Sequence, residues 1–239
     1  LMLEKADEIL GGVSILMKAA KVTKGYIGIE NNKPDAIKLM TEKAAAYPGI
    51  EVVPLKTKYP QGGERTLIYA ITGRKINSTM LPADVGCVVN NVDTMIAIEM
   101  AVCESTPSIR KIITVTGDAI KEPQNFKVPT GICYRELVEA AGGFKEEPAK
   151  VVSGGPMMGL ALFNLDVPVM KATSAVLAMT KDEVAELEPS ACIRCGRCAQ
   201  VCPGNIVPQK VMEAAERRDI DLFVKYNGME CCECGCCSF

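Results

Sequence analysis

Cys192-Ile-Arg-Cys195-Gly-Arg-Cys198-Ala-Gln-Val-Cys202-Pro203 places four thiols at the spacing C-x2-C-x2-C-x3-C-P. That spacing belongs to ferredoxin-type [4Fe–4S] ligation, in which the fourth thiolate serves the other cluster of a pair. The physical reason is reach. Thiolates two residues apart can wrap one cube, Gly196 lets the backbone turn tightly between them, and Pro203 sends the chain away. A second run is therefore expected. Cys231-Cys-Glu-Cys234-Gly-Cys-Cys237 supplies it, with C-x2-C-x2-C at Cys231, Cys234 and Cys237.

Other uses of these thiols fit less well. Disulfides need an oxidising compartment. A structural zinc site usually pairs two C-x2-C knuckles across a longer gap. The chain has twelve Cys, most of them in these two runs, and no His. Without His there is no His-ligated zinc, no imidazole general base and no Ser-His-Asp triad. Electron or hydride transfer, where a cofactor does the chemistry, is the compatible class. Cys87, Cys103 and Cys133 stand alone in apolar contexts and read as small core residues.

The 239 residues suffice for one large or two to three small domains, and 48% hydrophobic against 23% charged content can bury a core. The net charge of −2 with no basic tract argues against nucleic acid as a main partner. No apolar run reaches the ~18 residues of a spanning helix, so the chain is expected to be soluble or peripheral to a membrane. Leu1 begins inside a helical pattern and Phe239 ends inside a cysteine run. The chain is expected to be a fragment lacking both ends.

The elements that must carry the thiols read in order. Met2, Ala6, Ile9, Leu10, Val13, Leu16, Met17 and Ala20 lie at helical spacing. A strand over 25–30, a helix over 33–46 capped by Asn32, and a strand over 50–55 predict a parallel, Rossmann-like α/β layer. Gly62-Gly63-Glu64 opens a helix to about Gly73, and a Gly-Gly pair at a helix start lets backbone N–H groups approach a ligand. An ordinary loop with an N-terminal acid explains it equally simply. Residues 85–89 are apolar and strand-like. Asn90-Asn91-Val-Asp-Thr94 opens the next helix, to about Glu104, and helix capping explains most of that segment. There is no G-x-G-x-x-G.

From residue 107 the pattern changes to strands over 110–116 and 125–128, a helix over 134–141, and strands at 151–152 and 167–177. Two hairpins around one short helix make a small α+β domain of the β-grasp kind. Ser153-Gly-Gly-Pro-Met-Met-Gly159 reads as a tight loop between them. Thr180-Lys-Asp-Glu183 begins a polar linker, and helices over 208–218 and 219–226 bring the second cysteine run back beside the first.

Several separate motifs carry a resemblance: Lys58-Tyr-Pro-Gln-Gly-Gly-Glu64, Leu81-Pro-Ala-Asp-Val-Gly86, Asn90-Asn-Val92, Thr116-Gly-Asp118, Ser153-Gly-Gly-Pro-Met-Met-Gly159 and both cysteine runs. Together they resemble the C subunit of the Rnf membrane-bound electron-transport complex, over essentially the whole chain. That family is similar to the flavin-bearing NADH-oxidising subunit of respiratory complex I. The resemblance implies α/β plus α+β architecture: a partial Rossmann-like FMN/NADH domain at 1–106, a β-grasp domain of the soluble-ligand-binding (SLBB) type at 107–180, and a truncated helical two-cluster ferredoxin domain at 181–239.

The resemblance also implies the site. Gly62, Gly63 and Glu64 match the complex I subunit's Gly-Glu-Glu loop, with Gly63 in place of its first Glu. Asn90, Asn91 and Thr94 match an Asn-Asn-Val-Glu-Thr segment that lies against the flavin. The family's main glycine-rich flavin loop would precede Leu1. On the ferredoxin pattern Cys202, Cys231, Cys234 and Cys237 bind one cluster. Cys192, Cys195 and Cys198 bind the other, whose fourth ligand would follow Phe239. Cys232 and Cys236 are extra. The implied role is an oxidoreductase subunit of an ion-translocating NAD:ferredoxin oxidoreductase, peripheral at the cytoplasmic face of the membrane. It would exchange electrons between NADH, FMN, two [4Fe–4S] clusters and partner subunits, and reach ferredoxin indirectly. A flavin and Fe–S reductase of cobalamin, an electron-conduit module without its own flavin, and a structural zinc protein remain the alternatives. Arg194 and Arg197 would tune a cluster, meet an acidic partner or simply be solvated.

Overall fold

The computed structural model describes residues 1–181, 188 and 190–238. Asp182 and Glu183 of the expected linker, and Phe239, lie outside the described residues. The chain divides into two units, Leu1–Ser108 and Ile109–Phe239.

The first unit runs α1 (Ala6–Ala20), β1 (Gly25–Glu30), α2 (Pro34–Ala44), β2 (Ile50–Leu55), α3 (Glu64–Thr72) and α4 (Val92–Cys103), with a 3-10 turn at Pro82–Val85 before α4. β1 and β2 pair in parallel, Gly25 opposite Ile50 through Glu30 opposite Leu55. Successive strand side chains face opposite ways. Ile27 and Ile29 therefore enter a core with Ile9, Leu10, Met40 and Met95. Gly28 faces the other side, where Leu67 and Ile71 of α3 close on it. α1 and α4 touch backbone to backbone: a Cβ on Gly12 would lie 2.0 Å from the Met95 carbonyl oxygen.

Two details of this unit differ from the sequence expectation. Asn32 is not the cap of α2, which has no side-chain cap at Lys33. Its neighbour Asn31 does structural work instead, accepting hydrogen bonds from the Thr57 N–H and hydroxyl and so joining the ends of β1 and β2. The strand expected over 85–89 does not form. Arg74 Nη1 donates to the Val85 carbonyl at 2.6 Å, so a side chain occupies an acceptor that a neighbouring strand would need. Val88 stays exposed.

The second unit begins with a five-stranded sheet in the order β4-β3-β7-β5-β6. Its strands are β3 (Arg110–Thr116), β4 (Gln124–Pro129), β5 (Lys150–Ser153), β6 (Leu160–Leu162) and β7 (Ala175–Met179), with α5 (Tyr134–Ala140) between β4 and β5. β3 and β7 are parallel and the other pairs antiparallel. The core holds Ile113, Val115, Ile120, Leu137, Val138, Val169 and Val176. The Tyr134 hydroxyl bridges Ser153 Oγ (2.6 Å) and Thr173 Oγ1 (2.9 Å), satisfying polar atoms that burial would otherwise strand.

The strand expected over 167–177 starts only at Ala175. Before it, the Val167 and Leu165 carbonyls accept from the first N–H groups of α5, and Thr173 closes a turn on Met170. Pro168 has no N–H to give to a ladder. β6 was not expected; its three residues follow the tight loop after β5. Three short helices come next: α6 (Arg197–Val201), α7 (Pro208–Glu216) and α8 (Ile220–Lys225). Among the described residues, no helix is long and apolar enough to cross a membrane.

Candidate functional site

The two cysteine runs share one backbone feature. In the first, Arg194 (φ 56°) and Gly196 (φ 76°) are left-handed on either side of Cys195; in the second, Glu233 (φ 52°) and Gly235 (φ 77°) are left-handed on either side of Cys234. Alternation of ordinary and left-handed residues turns successive N–H groups inward, a concavity that recurs at Fe–S and phosphate sites. The Arg194 N–H already points at Cys192 Sγ, 3.4 Å away. Gly196 also caps α6, which carries Cys198 toward Cys202.

The helices between the runs bring their ends together. Asp219 caps α8 through the Leu222 N–H, and Lys210 of α7 lies over the Tyr226 ring, 5.2 Å from its centroid. Gly228 tucks under Phe223. The chain then returns so closely that a Cβ on Gly204 would lie 3.1 Å from the Glu230 carbonyl oxygen. Cys202, two residues before Gly204, is thereby set beside Cys231, the residue after Glu230.

The electrostatics report the same neighbourhood. The Cys237 thiol is pushed up by burial and then by the charges that Cys231, Cys202 and Cys234 would carry. Cys234 is the buried member of the run. Burial pushes its thiol up, but hydrogen bonds from the Cys236 backbone and from the Cys236 and Cys232 thiols outweigh this and hold it below the usual range. Cys236 in turn is pushed up to about 11, by burial first and then by Cys234. The two extra cysteines thus attend Cys234.

Thiolate is the form that binds iron, so this donor set fits a cluster. Among the described residues no three Cys, Asp or Glu side chains converge on one point able to hold a single metal ion. In the first run Cys192 and Cys195 are exposed and Cys198 and Cys202 half-buried. Ile193, Arg194 and Arg197 around them are exposed as well.

The isolated cysteines do not fill the role expected of them. Cys103 is exposed, and Cys87 and Cys133 are only half-buried. Cys133 Sγ sits 2.9 Å from the Leu165 carbonyl oxygen, and Cys87 Sγ lies between the Val85 carbonyl and Arg74. Both lie where a carbonyl can take the weak S–H donor, a use that apolar sequence context does not reveal.

Gly62 and Gly63 lie exposed at the start of α3, with Gly63 as its N-cap and Glu64 in its first turn. Nothing lies within 4 Å of where a Cβ on Gly62 would sit, so that space is open to a ligand. Asn90, Asn91 and Thr94 lie exposed at the start of α4. Asn91 caps the helix, its Oδ1 accepting from the Asp93 N–H at 2.9 Å, as the capping pattern predicts. Its side-chain NH2 stays chemically suited to an acceptor. Backbone amides and an Asn amide fit a phosphate or a flavin ring edge in donor type.

Three family models match in chain order. Residues 1–100 match the Nuo51 FMN-binding domain, 112–161 the SLBB domain, and 185–207 a 4Fe-4S binding domain. The chain is 50% identical over 207 residues to the C subunit of the proton-translocating ferredoxin:NAD(+) oxidoreductase complex of Clostridium ljungdahlii, covering 87% of this chain and 45% of that protein. It is 44% identical to the Na(+)-translocating counterpart of Acetobacterium woodii, covering 96% of this chain and 52% of that one. With the C subunit of the ion-translocating oxidoreductase complex of Rhodobacter capsulatus it shares 41%, over 92% and 43%. The chain therefore spans about half the length of the curated relatives it matches. In fold it is similar to an NAD+-reducing [NiFe]-hydrogenase, with a TM-score of 0.64 at 19% identity over 99% of this chain and 49% of that one. With its FMN-binding, SLBB and 4Fe-4S domains in that order, the chain belongs to the family of C subunits of ion-translocating ferredoxin:NAD(+) oxidoreductase complexes.

Proposed function

We propose that this chain is an electron-transfer segment of an ion-translocating NAD:ferredoxin oxidoreductase, with cluster ligation at its cysteine runs and flavin contacts at the starts of α3 and α4. The observation that carries the reading is the repeated left-handed pattern around Cys195 and Cys234, together with the approach of Gly204 to Glu230. Cys202, Cys231, Cys234 and Cys237 are the proposed ligands of one [4Fe–4S] cluster, and Cys192, Cys195 and Cys198 three ligands of the other. These clusters supply one-electron steps at potentials set by charge, hydrogen bonds to sulfur and solvent exposure.

The chain's own residues do the positioning. The inward N–H groups of each loop compensate thiolate charge. Cys232 and Cys236 place thiol and backbone donors at Cys234 Sγ. Gly62, Gly63, Glu64, Asn90, Asn91 and Thr94 are the proposed flavin-side residues, where FMN would supply the exchange between a hydride and single electrons. NADH, the other members of the complex and, through them, ferredoxin are the proposed partners. A peripheral position at the cytoplasmic face of the membrane is the proposed location.

Anaerobic iron, sulfide and flavin content of the full-length protein, with an EPR spectrum after dithionite reduction, tests this. The expected result is [4Fe–4S] iron that falls by about half in Cys234→Ser. Zinc without iron overturns it. The competing reading is an electron conduit without its own flavin. Iron-replete protein that retains no FMN would select that reading.

A further inference from the structure

The loop over residues 153–159, between β5 and β6, is used by none of the chemistry above, yet it ends on the second cysteine run. A Cβ built on Gly235 would lie 3.0 Å from the Met157 carbonyl oxygen and 3.6 Å from its terminal methyl. Gly235 is one of the two left-handed residues that shape the run, the residue directly after buried Cys234. A tip that only happened to approach would be loosely held. Here the base and neck of the loop are fixed. Its base is bonded into the sheet by the Gly154 N–H to the Ala175 carbonyl (2.8 Å), and its neck is closed by the Gly159 N–H to the Gly155 carbonyl (2.8 Å). A Cβ on Gly159 would meet Val152 at 2.4 Å and the Gly155 oxygen at 2.5 Å, so the closed neck admits no other residue without displacement. Ser153, where the loop leaves the strand, is anchored to the Tyr134 hydroxyl.

We infer that Met157 is a positioning residue for the cluster held by Cys202, Cys231, Cys234 and Cys237: its carbonyl and side chain fix the Gly235 turn and limit water access to that cluster. The inference rests on the proposed ligation and adds to it a role for the β-grasp domain. Reduction adds one negative charge to a cluster, and water stabilises the more negative state better than an apolar wall does. Opening the wall should therefore raise the potential.

The test is an EPR-monitored redox titration of full-length protein carrying Met157→Ala or Met157→Leu, with Cys234→Ser identifying which signal belongs to the second run. In Met157→Ala that signal should become easier to reduce by about threefold or more, about 28 mV at ~59 mV per tenfold for one electron. Met157→Leu should restore the wild-type value, and the other signal should not move. If Met157→Ala loses iron from the second run alone and Met157→Leu keeps it, the positioning role holds through assembly instead. An unchanged potential at unchanged iron content overturns the inference, as does an equal shift of both signals. Failure of Cys234→Ser to remove any signal overturns the ligand assignment itself, before Met157 is considered.

Discussion

Arg194 and Glu233 hold the same left-handed backbone, φ 56° and 52°, each directly before the middle cysteine of its run. Left-handed conformation costs a non-glycine residue about 1–2 kcal/mol, and here it recurs at equivalent places in two loops with different side chains. A shared geometric demand, rather than the residues themselves, accounts for it. β-Branched residues tolerate this region worst. Glu233→Val should therefore lower iron at the second run while Glu233→Gly keeps it, read by iron and sulfide analysis of anaerobically prepared protein. Equal iron in both variants would show that the loop does not need the turn.

Cys234 differs from its neighbours Cys232 and Cys236 in the proposed role. Cys234→Ser should remove about half of the [4Fe–4S] iron. Cys232→Ala and Cys236→Ala should leave the iron in place and change only the EPR signal of that cluster, because they remove side-chain hydrogen bonds to the Cys234 sulfur rather than a ligand. Iron loss in Cys236→Ala equal to that in Cys234→Ser would assign the ligand differently.

Tyr134→Phe removes the hydroxyl shared by Ser153 and buried Thr173. Thr173 Oγ1 keeps its bond from the Met170 N–H at 3.1 Å, so the loss is that of an ordinary hydrogen bond, about 0.5–1.5 kcal/mol, and the urea midpoint of the second unit should fall accordingly. An unchanged midpoint would mean that Thr173 finds another partner.

Gly12→Ala places a methyl against the Met95 carbonyl. Overpacking of this kind costs about 1–3 kcal/mol or more, and the first unit should melt at lower temperature while the second is unaffected. Differential scanning calorimetry checks both transitions.

Asp118 accepts from the Thr180 hydroxyl at 2.7 Å and from the Thr180 N–H at 2.9 Å. These bonds, the hydroxyl first, hold its carboxyl below its ordinary value of 3.8. A depressed folded-state pKa gives stability that is fully present above the ordinary value and lost as pH falls through the lowered one. Thr180→Val should raise the Asp118 pKa toward 3.8, followed by side-chain carboxyl NMR, and reduce the loss of stability below that pH. An unmoved titration would show that the backbone bond alone sets the value.

Much of this protein is written in local pattern. Cysteine spacing names the chemistry because a cluster's reach fixes how far apart thiolates sit along a chain. β1, β2 and β3 end where periodicity places them, because alternation and Gly or Pro boundaries act over a few residues. Asn91 caps α4 because its side chain needs only the N–H two residues on. Other features depend on groups distant in sequence. Residues 85–89 have the composition of a strand, but Arg74 takes a carbonyl that its ladder would need. The segment 167–174 is rich in apolar residues, yet the start of α5 claims the Val167 carbonyl. Cys103 looks like core and is exposed. The left-handed turns at Arg194 and Glu233 carry no glycine to announce them. The approach of Gly204 to Glu230, and of Met157 to Gly235, arises only when two helices and a sheet have packed. The sequence by itself determined which thiols stand at cluster spacing; the tertiary structure decided which segments of the chain lie beside them, because proximity across dozens of residues is set by packing and by no spacing along the chain.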